Sequence, residues 1–515
     1  MAEGATPLWR WAPDAGALAD AATAATAGGA GGKVEAREDA GGGKGRGLFW
    51  AGLAALPAGA LAFRERPLAA AQHVSNRAAA PCCPGCHRFV GGGERFLSAC
   101  LGRGGEGTGD SLTATPPAAV GGSGSAPGGS FRVPRWKEAM AAGGWAPPAA
   151  GLRCRGGCGA EYCGVACEEA AWRGAHGLLC PGAGPAPAWD EALEAARAEE
   201  EGTAGPPQKR ARPESSNAEN GLGRQFWSAA FLAHAAATND VFALAGLCVA
   251  DVLSRARRRL AERPAEPAPG AAAADAALRW AWTPYGLGWK ALWWECVPCP
   301  PESAEGGNGG EREFRAALRG LAGDSALLLR RALFDARFPA LFDDEVLGSL
   351  VGMFELNNLD MVVSNPLARY FRYMESLREG VTGKEEAGGL AEGDLAAAAA
   401  LEALIEDADA DCHCSGTAFF RAQSLMNHSC DPNCAARKED ADADDSAMLY
   451  ALRPIQPGEE LTISYIEERD EDGQLRPVEE RRRLLRDYGF ECGCPLCVKE
   501  AEAKIPVPGP TPGAP

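Results

Sequence analysis

The chain has 515 residues, 46% of them hydrophobic, and a formal net charge of -18. Single cores stop growing near about 250–300 residues, so this length implies two or three of them. The negative charge excludes a protein built mainly to clamp phosphate backbones, an affinity that comes from Lys and Arg displacing counterions; an acidic surface suits a basic partner, or solubility alone.

In chain order, residues 1–40 are Ala- and Gly-rich and are expected to be disordered. They carry Glu3, Asp14 and Asp20 against Arg10, a poor fit to an organelle transit peptide, and nothing there has the pattern of a secretory signal. No run approaches the ~18 apolar residues of a membrane span. A reducing compartment is expected, in which clustered cysteines, 19 in all, are more often metal ligands than disulfides. Residues 44–48 (KGRGL), the turn signal Pro57-Ala58-Gly59 and the run 61–66 have the pattern of two short strands around a tight turn. Cysteine-rich sequence occupies 82–180, broken by a Gly/Ser/Pro-rich loop at 102–129 that is expected to be flexible. Residues 181–224 read as a linker, with a basic tract at 208–213 (QKRARP) that is either solvated or an import signal.

Beyond the linker, 226–260 and 314–354 read as helices, with Val346, Leu347, Leu350, Val351 and Phe354 on one apolar face. Residues 390–411 predict a helix followed by a loop. β-type sequence returns over 417–465, interrupted by an acidic insert at 439–445. Leu461, Ile463 and Tyr465 alternate with Thr462 and Ser464, which projects the Tyr465 phenol at a strand end. A short charged helix is expected at 479–487, and the tail is Pro-rich.

Cysteine spacing carries the first chemical signal. Cys83 and Cys86 form a C-x2-C pair; Cys154, Cys158, Cys163 and Cys167 follow at x3, x4 and x3; His176 and Cys180 close the set as H-x3-C. Seven thiols and one imidazole suit two tetrahedral zinc sites. Cys430, Cys492, Cys494 and Cys497 supply four more thiolates, the number that closes a structural site with no open position. Cys82 is a spare beside Cys83; Cys296, Cys299, Cys412, Cys414 and Cys434 complete no four-ligand set and stay unassigned.

The segments 427–434 (NHSCDPNC), 458–465 (GEELTISY) and 488–497 (YGFECGCPLC), in that order and downstream of the cysteine-rich region, resemble the SET and MYND family of protein-lysine methyltransferases. Residues 354–360 (FELNNLD) and the long gap between Cys86 and Cys154 make the chain most similar to the plant and algal trithorax-related members. The resemblance implies an α+β fold: a split SET domain with an inserted MYND zinc finger, a helical insertion and a zinc-binding post-SET segment. The parts fall at 41–81 (SET, N-terminal part), 82–180 (MYND), 181–224 (linker), 225–340 (helical insertion), 341–475 (SET core) and 476–500 (post-SET), with a disordered tail at 501–515.

The resemblance also implies S-adenosylmethionine as methyl donor, bound by Lys44, Arg46, Gly47, Asn357 (Asn358 being an off-by-one alternative), Ser424, Asn427, His428, Tyr465 and Phe490. It implies Tyr465 as the catalytic residue, with Tyr488 and Phe420 bordering the substrate channel. It implies three zinc ions: one on Cys83, Cys86, Cys163 and Cys167, one on Cys154, Cys158, His176 and Cys180, and one on Cys430, Cys492, Cys494 and Cys497. The chain departs from the family in the 67 residues between Cys86 and Cys154, tolerable because loop closure costs grow only logarithmically, and in the x3 spacing of Cys154 and Cys158. The implied substrate is a protein lysine, with a histone H3 tail favoured, in the nucleus or cytoplasm, and Pro-rich peptides are implied partners of the MYND finger. The rival readings are a non-histone lysine methyltransferase and a catalytically inactive MYND adaptor. The side chains of Asn427, His428, Tyr465 and Tyr488 favour the enzyme, since an adaptor needs none of them.

Overall fold

A computed structural model describes residues 6–13, 16, 33–38, 45–73, 77, 80–91, 106–108, 111–114, 131–142, 151–200, 221–262, 270–300, 307–357, 359–363, 366–380, 392–407, 414–437 and 444–503. Lys44, Asn358, Cys412, the 208–213 tract and most of 102–129 lie outside this set.

Three small sheets join the two ends of the chain. In the first, Val34–Glu38 pairs with Arg46–Trp50, which pairs with Glu460–Ile463, which in turn runs parallel to Asn427–His428. In the second, Leu359–Val363 and Ala69–Gln72 flank Cys414–Phe419. In the third, Cys434–Arg437 and Leu61–Glu65 flank Ala447–Ala451. Each sheet therefore takes strands from before residue 73 and after residue 358, and everything between is an insertion into one β unit. Leu48, Ala62, Phe63, Ala418, Leu449 and Leu461 are fully buried at its centre. Alternation explains the inward set: with side chains pointing to opposite faces at each step, Leu461 and Ile463 share one face of their strand.

Two local expectations change. Arg46–Trp50 and Leu61–Glu65 do not pair with each other across the turn at Gly59 (φ 77°); they belong to different sheets, and the turn is a corner between them. The stretch 1–40 contains the Val34–Glu38 strand and a 3-10 turn, Leu8–Arg10, whose Leu8 is buried in the helical core while Trp9 Nε1 donates to Glu345 at 2.8 Å.

The helical insertion packs Gly221–Thr238, Val241–Ala261, Ala271–Trp282, Gly307–Leu333 and Asp344–Asn357 around Phe242, Trp282, Trp293 and Phe354. Val346, Leu347, Leu350, Val351 and Phe354 are all buried there. The stretch read as linker carries a further helix, Trp189–Glu200, which buries Ala192, Leu193 and Ala196 against this core. Downstream, Glu392–Asp407 and Val478–Leu484 occupy the helical stretches expected near 390 and 479, and Pro495–Ala503 extends past the expected start of the tail.

Candidate active site and metal centres

The parallel pairing of Asn427–His428 with Thr462–Ile463 is short, so side chains hold it. Asn433 is buried; its Nδ2 donates to the Glu460 carbonyl at 2.7 Å and its Oδ1 accepts the Thr462 N–H at 2.8 Å. Glu65, also buried, accepts the Ala422 and Gln423 N–H groups at 3.0 and 3.1 Å and so fixes the turn that leads into Asn427; burial pushes its pKa up against those bonds. Neither residue drew notice in the sequence, because each works through partners hundreds of positions away in the chain or in another strand.

Past the end of this strand pair lies Tyr465. Its hydroxyl donates to the Met426 carbonyl at 2.5 Å, and its own carbonyl accepts the Tyr488 hydroxyl at 3.3 Å, with the two rings 5.0 Å apart. Burial, with Tyr488 and Glu460 adding to it, raises the Tyr465 pKa, so the phenol keeps its proton. The Tyr465 N–H donates to His428 Nδ1 at 3.1 Å, which leaves the ring proton on Nε2, facing Cys430 Sγ at 3.3 Å. Phe490, 40% exposed, lies 6.1 Å from the His428 ring. Beside Tyr465 and Tyr488 opens a cavity of about 480 Å³ whose walls include Glu355, Glu467, Val297 and Arg483.

The remaining predicted residues are placed as follows. Asn427 Nδ2 is spent within the protein, on the Arg46 carbonyl at 2.9 Å and Glu460 Oε1 at 2.7 Å. Gly47 is packed under that pair: an added Cβ would meet Glu460 Oε1 at 2.9 Å. Asn357 Nδ2 donates to the carbonyls of Trp289 at 2.7 Å and Met353 at 2.8 Å. The Ser424 hydroxyl donates to the Arg421 carbonyl at 2.9 Å, and Phe420 is buried in the β core.

Three groups of four ligand atoms, each within 4.8 Å of one another, are assembled from distant segments: Cys83, Cys86, Cys163 and Cys167; Cys154, Cys158, His176 and Cys180; Cys430, Cys492, Cys494 and Cys497. A tetrahedral ion with Zn–S near 2.3 Å sets sulfur atoms about 3.8 Å apart. The distances Cys86–Cys163 at 3.5 Å, Cys154–Cys180 at 3.9 Å and Cys430–Cys492 at 3.9 Å fit that geometry, and the donor set is soft and closed. Cys82, Cys414 and Cys434 are buried outside these groups, and Cys296 and Cys299 join no group among the described residues.

Charged residues from the expected short helix and from the acidic insert stand behind these groups. Arg481 is 0% exposed; its Nη2 donates to Cys497 Sγ at 3.4 Å and to Glu500 Oε1 at 3.2 Å, setting a guanidinium behind a cluster of thiolates. In the acidic insert, Asp445 is 3% exposed and takes His87 Nδ1 at 2.7 Å, while Asp444 pairs with Arg64 at 2.9 Å. His87 directly follows Cys86, so this contact fastens the first cysteine group to the β unit.

Comparison with known proteins agrees with this geometry. The SET domain family matches residues 323–466, which contain the Asn427–His428 strand, Cys430 and Tyr465. The chain carries a SET domain. With cysteine fingers inserted between the two parts of its β unit, this SET domain is of the type found in SET and MYND proteins and is related to a plant member. The chain is 37% identical over 353 residues to "Histone-lysine N-methyltransferase ATXR2" of Arabidopsis thaliana, an alignment that spans 68% of this chain and 63% of that relative. It is 28% identical over 183 residues to "Protein-lysine N-trimethyltransferase SMYD5" of Gallus gallus, covering 34% of this chain and 39% of the relative. Over 83 residues it is 43% identical to "Histone-lysine N-methyltransferase SMYD3" of Mus musculus, 16% and 17% of the two chains.

Proposed function

We propose that this protein is a lysine methyltransferase that moves a methyl group from S-adenosylmethionine to a lysine of a protein substrate. The observation that carries the reading is the Tyr465 hydroxyl, held on the Met426 carbonyl at the edge of a cavity shared with Tyr488. Its proton is committed to that carbonyl, so toward the cavity the oxygen offers lone pairs and accepts an N–H from an incoming amine. This orients the nitrogen lone pair; with its pKa raised, the phenol is not the base that removes the amine's proton. A lysine amine titrates near about 10.4 in water and must shed its proton before its nitrogen can attack the methyl group. The bound methyl donor supplies an electrophilic methyl on a sulfonium.

Arg46, Gly47, Asn357, Ser424, Asn427, His428 and Phe490, with Lys44 just before them, are the residues proposed to hold the donor. The chemistry present fits it: a guanidinium for a carboxylate, amide and backbone groups for an adenine edge, and the Phe490 ring for its face. The three four-ligand groups are proposed to hold one zinc each. They are structural, because four protein ligands leave no open coordination position.

A histone tail is the favoured substrate, since two relatives are named histone-lysine methyltransferases, with H3 favoured by the family resemblance alone; a non-histone protein is the alternative, in keeping with the protein-lysine name of the third. A nuclear or cytoplasmic setting and Pro-rich partners for the finger belong to the same proposal. No helix among the described residues is long and apolar enough to cross a membrane. The test is transfer of a labelled methyl group by purified protein to nucleosomes, free histones and a cell lysate. Label that disappears with Tyr465→Phe supports the enzyme; no label on any of the three leaves the adaptor reading in its place.

A further inference from the structure

The helices Val241–Ala261 and Ala271–Trp282 pack on one another, and outside their shared core they carry a cluster of arginines around one tryptophan. Arg255 and Arg259 lie one turn apart and turn to the same neighbour: each guanidinium stands 5.3 Å from the centre of the Trp280 ring. Trp280 is nevertheless 46% exposed. Beside it, Arg279 stands 6.0 Å from the ring of Trp11, and Arg10 stands 4.6 Å from that of Trp9, so the turn Leu8–Arg10 extends this surface. The acidic side chains paired with it are Asp251, 3.6 Å from Arg255; Glu262, 3.6 Å from Arg259; and Asp275, 2.8 Å from Arg279. Surface pairs of this kind contribute little, so an incoming anion displaces them easily. Arg10 and Arg258 are exposed and have no carboxylate partner among the described residues. Five guanidiniums thus face three carboxylates, a local positive excess on a chain whose net charge is -18.

We infer that this face of the helical insertion binds single-stranded nucleic acid. The guanidinium fork matches phosphate oxygens two at a time, and a row of them suits a polyanion. The tryptophan decides which polyanion. An acidic peptide would answer the arginines and leave the exposed ring idle, and a duplex keeps its bases stacked inside. A single strand offers both phosphates for the arginines and unpaired bases for the open part of the Trp280 ring. Trp280 is already oriented by Arg255 and Arg259, so little is lost in ordering it when a base arrives. The rest of the acidic surface repels the strand, which confines binding to this face and makes it weaken steeply with salt.

The test is fluorescence anisotropy on the full-length protein without methyl donor, so the result does not depend on the proposed function. The probes are labelled oligouridylate and oligothymidylate of about 16 nucleotides, the upper size of one single-strand site. A duplex of the same length and polyglutamate serve as controls. Both strands should bind, and the tighter one tells whether RNA or DNA is preferred. Trp280→Ala should weaken both by about tenfold, the loss of one stacked base, and Trp280→Phe should recover most of it. Arg258→Gln should reduce the slope of log affinity against log salt by about 0.7, one phosphate contact. A wild type that binds neither strand, undiminished binding by Trp280→Ala, or a duplex bound more tightly than either strand would overturn the inference. So would polyglutamate that displaces the strands as well as unlabelled oligonucleotide does. If Trp280→Ala does not fold, the Arg258→Gln slope decides, and an unchanged slope overturns the inference.

Discussion

The backbone N–H of Tyr465 donates to His428 Nδ1, and the opposite nitrogen of the same ring faces the sulfur of Cys430. One imidazole therefore joins the candidate catalytic tyrosine to the third cysteine group. A metal ligand's outer partners fix its orientation and basicity, and here that partner also sets where Tyr465 begins its departure from the strand. The resemblance assigned His428 to cofactor binding; the buried ring is committed to these two contacts, so any contact to a donor falls to its backbone.

His428→Phe keeps a ring of similar size but removes both contacts. It should destabilise the domain by about 1–3 kcal/mol, the usual cost of leaving buried polar groups unpaired, and it should speed zinc release from the third group. Thermal unfolding together with chelator-driven zinc release measures both effects. Unchanged unfolding and unchanged release would remove the link argued above.

Tyr465→Phe deletes one hydroxyl and its bond to Met426. Loss of that bond costs about 0.5–1.5 kcal/mol, so the protein should fold and keep its zinc. Methyl transfer should fall by about 10²- to 10⁴-fold. A variant as active as the parent would show that Tyr465 is not the residue that orients the amine.

How much of this was legible in the sequence depends on how local the constraint is. Thiolates that share an ion must be cysteines at short fixed spacings, so all twelve ligands could be chosen from spacing and resemblance, and the structure groups the same twelve. The alternation over 461–465 predicts a strand, and the structure has one over Glu460–Ile463 with Tyr465 just past its end. Glu65, Asn433, Asp445 and Arg481 were not legible, because each is an ordinary polar residue whose role arises from a partner in another element: Glu65 meets Ala422 across 357 positions. The Gly59 turn was read as a hairpin because hairpin signals are local, whereas the true partners of its two flanking strands lie near residues 448 and 461. The Trp189–Glu200 helix was hidden among Gly and Pro neighbours, although Ala192, Leu193 and Ala196 show the helical spacing.

Asp445 links the first cysteine group to the β unit through His87 and Arg66. Asp445→Ala leaves His87 buried without its carboxylate, at a cost of about 1–3 kcal/mol. The first cysteine group should then lose zinc to a chelator faster while the third group is unaffected, since their ligands are separate. Zinc release followed alongside unfolding checks this, and equal acceleration at both groups would mean that the loss is global.

The last prediction concerns the third group, whose ligands come from both sides of the candidate site. Cys430 follows His428 directly in space and nearly so in sequence, while Cys492, Cys494 and Cys497 follow Tyr488 and Phe490, so one ion would tie the Asn427–His428 strand to the aromatic wall. Arg481 stands buried behind these thiolates, and without an ion the guanidinium and the four sulfurs lose the charge balance that justifies their burial. A structural zinc contributes about 10 kcal/mol or more to folding in small zinc peptides. Cys494→Ser should therefore release the segment carrying Tyr488 and Phe490, abolish methyl transfer and weaken S-adenosylmethionine binding, while zinc content falls from three ions to two because the finger's groups share no ligand with it. Elemental analysis and donor-binding titration of the purified variant measure these effects. Wild-type donor affinity in a protein that has lost one zinc would show that the third group stabilises the fold without shaping the site.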